Sequence, residues 1–189
     1  GIRGIYPSYI LKRIKEDLKI QDLTKEFDLM VGTSTGSIIV GALAAGVKIE
    51  DIYQLYEENG EEMFVDNPVY EVSLGLYGSK YTKNKLSEYL YKFVKNIRMY
   101  DLKVDTVITA TDVKIGKAIL FRSHDEILVK DAILSSISAP YYFSFEKIGE
   151  HVLADGGLWA NNPSIVGYVE AKYKKNIEED EIHILSIGT

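Results

Sequence analysis

Phe27-Asp28-Leu29-Met30-Val31-Gly32-Thr33-Ser34-Thr35-Gly36-Ser37-Ile38-Ile39-Val40-Gly41-Ala42-Leu43-Ala44-Ala45-Gly46 decides how this chain folds. The apolar run from Phe27 to Val31 has the length of a buried strand. From Ser37 onward the small and apolar residues lose strand alternation and stop at Gly46, as a helix does. Ser34 falls at the turn between them, flanked by Gly32 and Gly36 at the G-x-S-x-G spacing of a nucleophile elbow. Such a turn strains the backbone and is expected to leave no room for side chains at either flanking position. Its hydroxyl is pushed outward at a helix N-terminus, where unpaired N–H groups and the helix dipole favour developing negative charge. A phosphate-cradling loop fits less well, because Gly36 is followed by Ser37-Ile38 rather than by Lys and a hydroxyl residue. Alone, the five residues fit a polar turn as readily as a catalytic one.

Composition bounds the rest. The 189 residues suffice for one domain with a substantial core. A net charge of -6 without a long basic cluster argues against a nucleic-acid partner and against general attraction to an anionic membrane. With no cysteine, disulfides and thiolate chemistry are excluded; that, and the lack of a visible signal segment, favours the cytoplasm. The longest apolar stretch, residues 38–47, is broken by glycines and falls short of the roughly 20 residues that span a bilayer, so no transmembrane helix is expected. The chain opens at Gly1 without Met and stops abruptly at Thr189. Residues 1–189 are therefore expected to be a single domain trimmed at both ends, which leaves secretion open.

Taken in order, Gly1-Ile2-Arg3-Gly4 precedes a helix marked by Ile10, Leu11, Ile14 and Leu18, with Pro7 in its first turn. A Gly-x-Arg-Gly turn at a helix start can serve as an oxyanion hole, but taken alone the segment fits a frayed terminus better. A second helix spans Ile49 to Met63, and Phe64 to Thr82 reads as a loop. Leu86, Leu90, Phe93 and Ile97 mark a helix from Lys83 to Ile97, capped by Thr82, with its lysines on a solvated face. Val104–Thr111 and Ala118–Arg122 read as a hairpin, Asp131 as the cap of a helix ending before Pro140, and His151–Ala154 as a short strand. A helix from Ser164 to Lys174 and a strand from Glu181 to Ile187 follow. Interspersed helices and strands without repeats imply a three-layer α/β/α sandwich with a largely parallel central sheet.

A serine hydroxyl needs a base, usually His held by a carboxylate. His183 sits in an apolar strand pattern, His124 in a polar turn and His151 at the head of a strand, and none of these settings demands function. Asp155 stands at a strand end, followed by Gly156 and Gly157, which allow close backbone approach; this is where open α/β sheets build their sites. Paired with Ser34, it is the best available base. No His and carboxylate cluster has ligand spacing, so neither metal nor cofactor is expected.

With these motifs in hand, the chain resembles the patatin-like phospholipase family, whose members use a Ser–Asp dyad. The resemblance rests on Gly32-Thr33-Ser34-Thr35-Gly36, on Asp155-Gly156-Gly157 and on Gly1-Ile2-Arg3-Gly4, in the family's order over nearly the whole chain. Ser138-Ala139-Pro140 with Phe143, and Asn161-Asn162-Pro163, match segments flanking the aspartate. The resemblance implies the patatin-like fold and a lipid acyl hydrolase acting through an acyl-enzyme. Ser34 and Asp155 would be catalytic, and Gly1, Ile2, Arg3 and Gly4 would form the oxyanion loop. The partner implied is a lipid ester, met at a membrane surface. The family motif begins with further glycines preceded by a strand, of which Gly1 is here the last. The aromatics of Phe64 to Thr82, where the match is loose, belong either to a packed loop or to an apolar entrance for a lipid chain. Two rival readings remain: a His-dependent serine esterase, and an inactive lipid-binding domain of the same fold.

Overall fold

A computed structural model describes residues 1–63 and 80–189; the expected loop from Phe64 falls largely on residues 64–79, outside the described residues. A 3₁₀ turn, Ile2–Gly4, runs into α1 (Ile5–Asp17). Then come β1 (Leu29–Gly32), α2 (Thr35–Ala44), α3 (Ile49–Met63), α4 (Asn84–Val94), β2 (Asp105–Asp112) and β3 (Lys117–Arg122). The chain continues with α5 (Val129–Ser136), β4 (Glu146–Ile148), β5 (His151–Asp155), α6 (Gly157–Ala160) and α7 (Ser164–Val169).

Strand alternation divides the sheet into two apolar faces. Met30 and Ile108 point to the larger core, which α2 to α5 supply with Ile38, Leu43, Ile52, Leu86, Leu90 and Ile133. Val107, with Leu29, Val31 and Leu120 beside it, points the other way and is covered by Ala160 of α6 and Val166 of α7. The expected three layers are thus present, the second helical layer being thin. Nearly every residue of α2 is buried, which explains its all-round apolar sequence: it lies between the sheet and the outer helices.

Strand directions correct one expectation. The sheet is mixed: β1–β2 is its one parallel pairing among the described residues, and β2–β3, β2–β5 and β4–β5 are antiparallel. Two tight hairpins cause this, one at the turn after Asp112 and the other at Gly149, whose φ of +57° suits glycine. Among the described residues, 182–189 pair with no strand, although an apolar strand was expected there. Other corrections concern helix starts. Thr82 does not cap α4; Lys83 occupies that position, with its side chain only 10% exposed rather than solvated. Leu128 precedes α5, and Asp131 lies inside its first turn. No described helix is long and apolar enough to cross a membrane.

Candidate active site

The register along β2 builds the site. β3 runs along one edge of β2, pairing residues Val107 to Asp112. On the other edge β1 pairs Asp105 to Ile108, and β5, running the opposite way, pairs Ala110 to Asp112. Gly32 lies opposite Ile108, and Asp155 opposite Ala110. Two strands therefore run head-on along the same edge and end two β2 residues apart, about 7 Å on an extended chain. Both must turn out of the sheet there. The residues at those turns, 121 positions apart in sequence, meet: Ser34 Oγ donates to Asp155 Oδ2 at 2.6 Å.

Ser34 has φ +53° and ψ -124°, a conformation costing about 1–3 kcal/mol in a non-glycine residue, which the surroundings must impose. They do so with directed bonds. Ser34 N–H donates to Ser136 Oγ at 2.9 Å, and Ser37 Oγ donates to the Ser34 carbonyl at 2.6 Å. Thr33 Oγ1 donates to the Ala160 carbonyl at 2.7 Å and lies 2.7 Å from Thr109 Oγ1. The flanking glycines differ. A Cβ on Gly32 would stand 2.5 Å from Val40 Cγ2 and 2.6 Å from the Gly36 carbonyl oxygen, so glycine is required. A Cβ on Gly36 would meet nothing within 4 Å, which corrects the expectation that both positions exclude a side chain; the Gly36 side of the turn faces open space.

Asp155 is buried, with each carboxylate oxygen held: Oδ2 by Ser34, and Oδ1 by the Gly157 N–H at 2.7 Å. Its own N–H donates to the Ser138 carbonyl at 3.0 Å, and its carbonyl accepts from Thr111 Oγ1 at 2.8 Å. Burial pushes the Asp155 carboxyl above the usual carboxylate range, while the bonds from Ser34 and Gly157 pull it partly back. Gly156 is where β5 leaves the β2 edge. A Cβ there would lie 2.0 Å from Thr109 Oγ1 and 2.6 Å from the Thr109 carbonyl oxygen.

A cavity of about 360 Å³ opens beside Ser34, lined by Ile2, Ile38, Ile137, Ala139, Tyr142 and Phe143, with Gly1 and Arg3 at its edge. Thr35 takes the first position of α2, where its N–H has no acceptor within the helix. Thr35 Oγ1 donates to the Gly1 carbonyl at 3.0 Å, tying the N-terminal loop to the elbow. Of the four expected oxyanion residues, Gly1, Ile2 and Arg3 border the cavity, whereas the Gly4 N–H is turned to the Gly1 carbonyl at 3.1 Å. Gly4 contributes spacing: a Cβ on it would stand 2.3 Å from Thr35 Oγ1 and 2.5 Å from the Tyr56 ring.

None of the three histidines bonds to Ser34. His151 Nδ1 lies 2.6 Å from Asp112 Oδ2, His124 is in an exposed turn beside Asp125, and His183 is in residues 182–189 near the end of the chain. Among the described residues no group of three His, Cys, Asp or Glu side chains is placed to hold a metal. A larger concavity, about 460 Å³, lies at the far end of β1 and β2, but its Arg122 is bound in two places by Glu170 and its Lys175 by Asp105. Neither Ser34 nor Asp155 borders it. The residues that sequence reasoning misses are Ser136, Thr109, Thr35 and Tyr56, which support the site through buried hydrogen bonds. Of these, only Ser136 carries a local signal, the hydroxyl-rich run Ser135-Ser136-Ile137-Ser138.

A family model described as Patatin-like phospholipase matches residues 1–166. The chain is 28% identical over 199 residues to a protein named cGAMP-activated phospholipase from Pseudomonas aeruginosa (strain BWHPSA011 / Pa011), covering 100% of this chain and 60% of that protein. It is 27% identical over 216 residues to Patatin-like protein 1 of Oryza sativa subsp. indica, covering 96% of this chain and 51% of that protein. The chain thus spans between half and three-fifths of the length of these relatives. Its fold is similar to that of VipD from Legionella pneumophila, with a TM-score of 0.56 over 84% of this chain and 44% of that one; at 14% identity the likeness is one of fold.

Proposed function

Because the chain belongs to the patatin-like phospholipase family, we propose that residues 1–189 act as one lipid acyl hydrolase domain, with Ser34 as nucleophile and Asp155 as base. The observation that carries this reading is the 2.6 Å hydrogen bond from Ser34 Oγ to Asp155 Oδ2. A carboxylate raised by burial is a better proton acceptor than one in water, which brings it closer to what a serine proton demands.

In the first step Asp155 accepts the Ser34 proton as Oγ bonds to the ester carbonyl carbon, and the carbonyl electron pair moves onto oxygen. The Thr35 N–H and the N–H groups of the Ile2 and Arg3 turn receive that oxyanion, each such donor typically being worth about 2.7–4 kcal/mol. Collapse breaks the ester C–O bond; the leaving alkoxide takes the proton from Asp155, and the acyl group stays on Ser34. A water then attacks the acyl carbon, giving its proton to Asp155, and the tetrahedral adduct expels Ser34, which regains that proton. The apolar cavity lined by Ile38, Ile137 and Phe143 suits an acyl chain. Exposed Tyr141, Tyr142 and Phe145 beside it suit contact with a lipid surface.

The test is a panel of phospholipids and neutral glycerides given to the protein, Ser34→Ala and Asp155→Asn. Fatty acid release is expected from the unmodified protein and essentially none from either variant. Lipid binding without release would favour a non-catalytic domain. Release that survives Asp155→Asn but not removal of a histidine would favour the His-dependent esterase.

A further inference from the structure

Lys83 is placed against its own chemistry. It stands at the N-terminal end of α4, where a helix dipole disfavours a cation, and its side chain is almost wholly removed from water. Burial lowers its pKa, opposed by Glu146. Its ammonium donates to Glu146 Oε1 and to Ser138 Oγ, each at 2.6 Å. A charge held at such cost is weak evidence for stability, since a well-packed apolar side chain often serves as well.

Both partners lead to the dyad. Glu146 opens β4 and pairs with Leu153 in β5, the strand that ends at Asp155. Ser138 is fully buried; its hydroxyl accepts from Lys83 and donates to the Leu134 carbonyl at 2.6 Å, so its orientation is set from two sides. The Ser138 carbonyl accepts the Asp155 N–H, and two residues earlier Ser136 Oγ accepts the Ser34 N–H. One three-residue stretch thus holds the backbones of nucleophile and base together. Lys83 cannot make Ser138 a second nucleophile, because that hydroxyl is closed to solvent and its proton is directed to Leu134.

We propose that Lys83 is a positioning residue, which fixes the separation of Ser34 and Asp155 by anchoring Ser138 and Glu146. The proposal rests on the acyl hydrolase reading given above. Misplacing reacting groups by 1 Å costs on the order of 10² in rate, and loosening one anchor while the other bonds remain should cost roughly tenfold. The experiment compares the wild-type chain with Lys83→Met, Ser138→Ala and the double variant, using a short-chain p-nitrophenyl ester. Active sites are counted by fluorophosphonate labelling, so that kcat is obtained per competent site. The expected result is roughly a tenfold fall in kcat per site in each single variant, with KM within about twofold. The double variant should be no worse than the more affected single one, because both changes break the same chain of contacts.

A purely structural role would lower the number of sites and the unfolding midpoint while leaving kcat per site at the wild-type value, and that result overturns the proposal. So does full additivity in the double variant. If Lys83→Met fails to fold, Ser138→Ala decides alone by the same kcat criterion. Wild-type protein that shows no Ser34-dependent turnover removes the acyl hydrolase reading itself, and the proposal with it.

Discussion

Replacing Gly156 by alanine should displace Asp155 from Ser34, and the structure sets the size of the effect. The new Cβ would lie 2.6 Å from the Thr109 carbonyl oxygen and 2.7 Å from its carbonyl carbon, both backbone atoms of the central strand. Ordinary contact begins near 3.4 Å, so restoring it requires the turn and β2 to separate by 3.4 - 2.6 = 0.8 Å. Asp155 precedes the turn directly and moves with it. The same Cβ would press on Thr109 Oγ1, which lies 2.7 Å from the hydroxyl of Thr33, the residue before Ser34. A shift near 1 Å costs on the order of 10² in rate, about 2.7 kcal/mol in barrier. Overpacking of this kind destabilises by about 1–3 kcal/mol. Hydrolysis of a soluble p-nitrophenyl ester, expressed per labelled site, reads the first quantity, and urea unfolding reads the second. Gly157→Ala is the control: its Cβ would meet only side-chain atoms, the nearest being Asp155 Oδ1 at 3.0 Å, and its loss of rate should be smaller. Folded Gly156→Ala with wild-type kcat per site would show that the turn at Gly156 does not set the distance between Asp155 and Ser34.

Asp155 is raised by burial, so the acid limb of kcat/KM should fall at a pH above the ordinary carboxylate range; a limb at or below that range, read from a pH profile, contradicts this. The same shift has a stability consequence. The folded protein holds this proton more tightly than the unfolded chain, so stability falls as pH rises from the unfolded pKa through the folded one, and the ionised carboxylate is a burden at neutral pH. Asp155→Asn should therefore be inactive yet melt at or above the wild-type temperature at pH 7, and a clear drop in thermal midpoint would count against it. Gly32→Ala, which meets Val40 and the Gly36 carbonyl, should lose about 1–3 kcal/mol of stability, whereas Gly36→Ala should fold as the wild type does; equal unfolding midpoints for the two would contradict the geometry.

The elbow is legible in sequence because strand, turn and helix signals are local: Phe27 to Val31, the glycines and the small-residue helix each declare themselves. The α/β layering follows from the same patterns. Strand direction does not, because it depends on which runs form hairpins, and the short β4 beginning at Glu146 gives no periodic signal. That β1 and β5 meet head-on along β2 is a matter of register, visible only once the partners of Ile108 and Ala110 are known. Lys83 reads as solvated because lysine usually is; its burial is imposed by Ser138 and Glu146, which lie 55 and 63 residues further on. Gly36 shows the opposite error, a motif glycine whose surroundings would admit a side chain.

Activation of Ser34 by Asp155 without help from an imidazole can be read from the rate at which a fluorophosphonate modifies the protein, with the adduct located by mass spectrometry. Modification should fall on Ser34 and be slowed at least a hundredfold in Asp155→Asn, on the order expected for loss of a general base. The rate should be unchanged when His124, His151 and His183 are all replaced by alanine. An unmodified Ser34, or a rate indifferent to Asp155 and abolished by loss of the histidines, would contradict it.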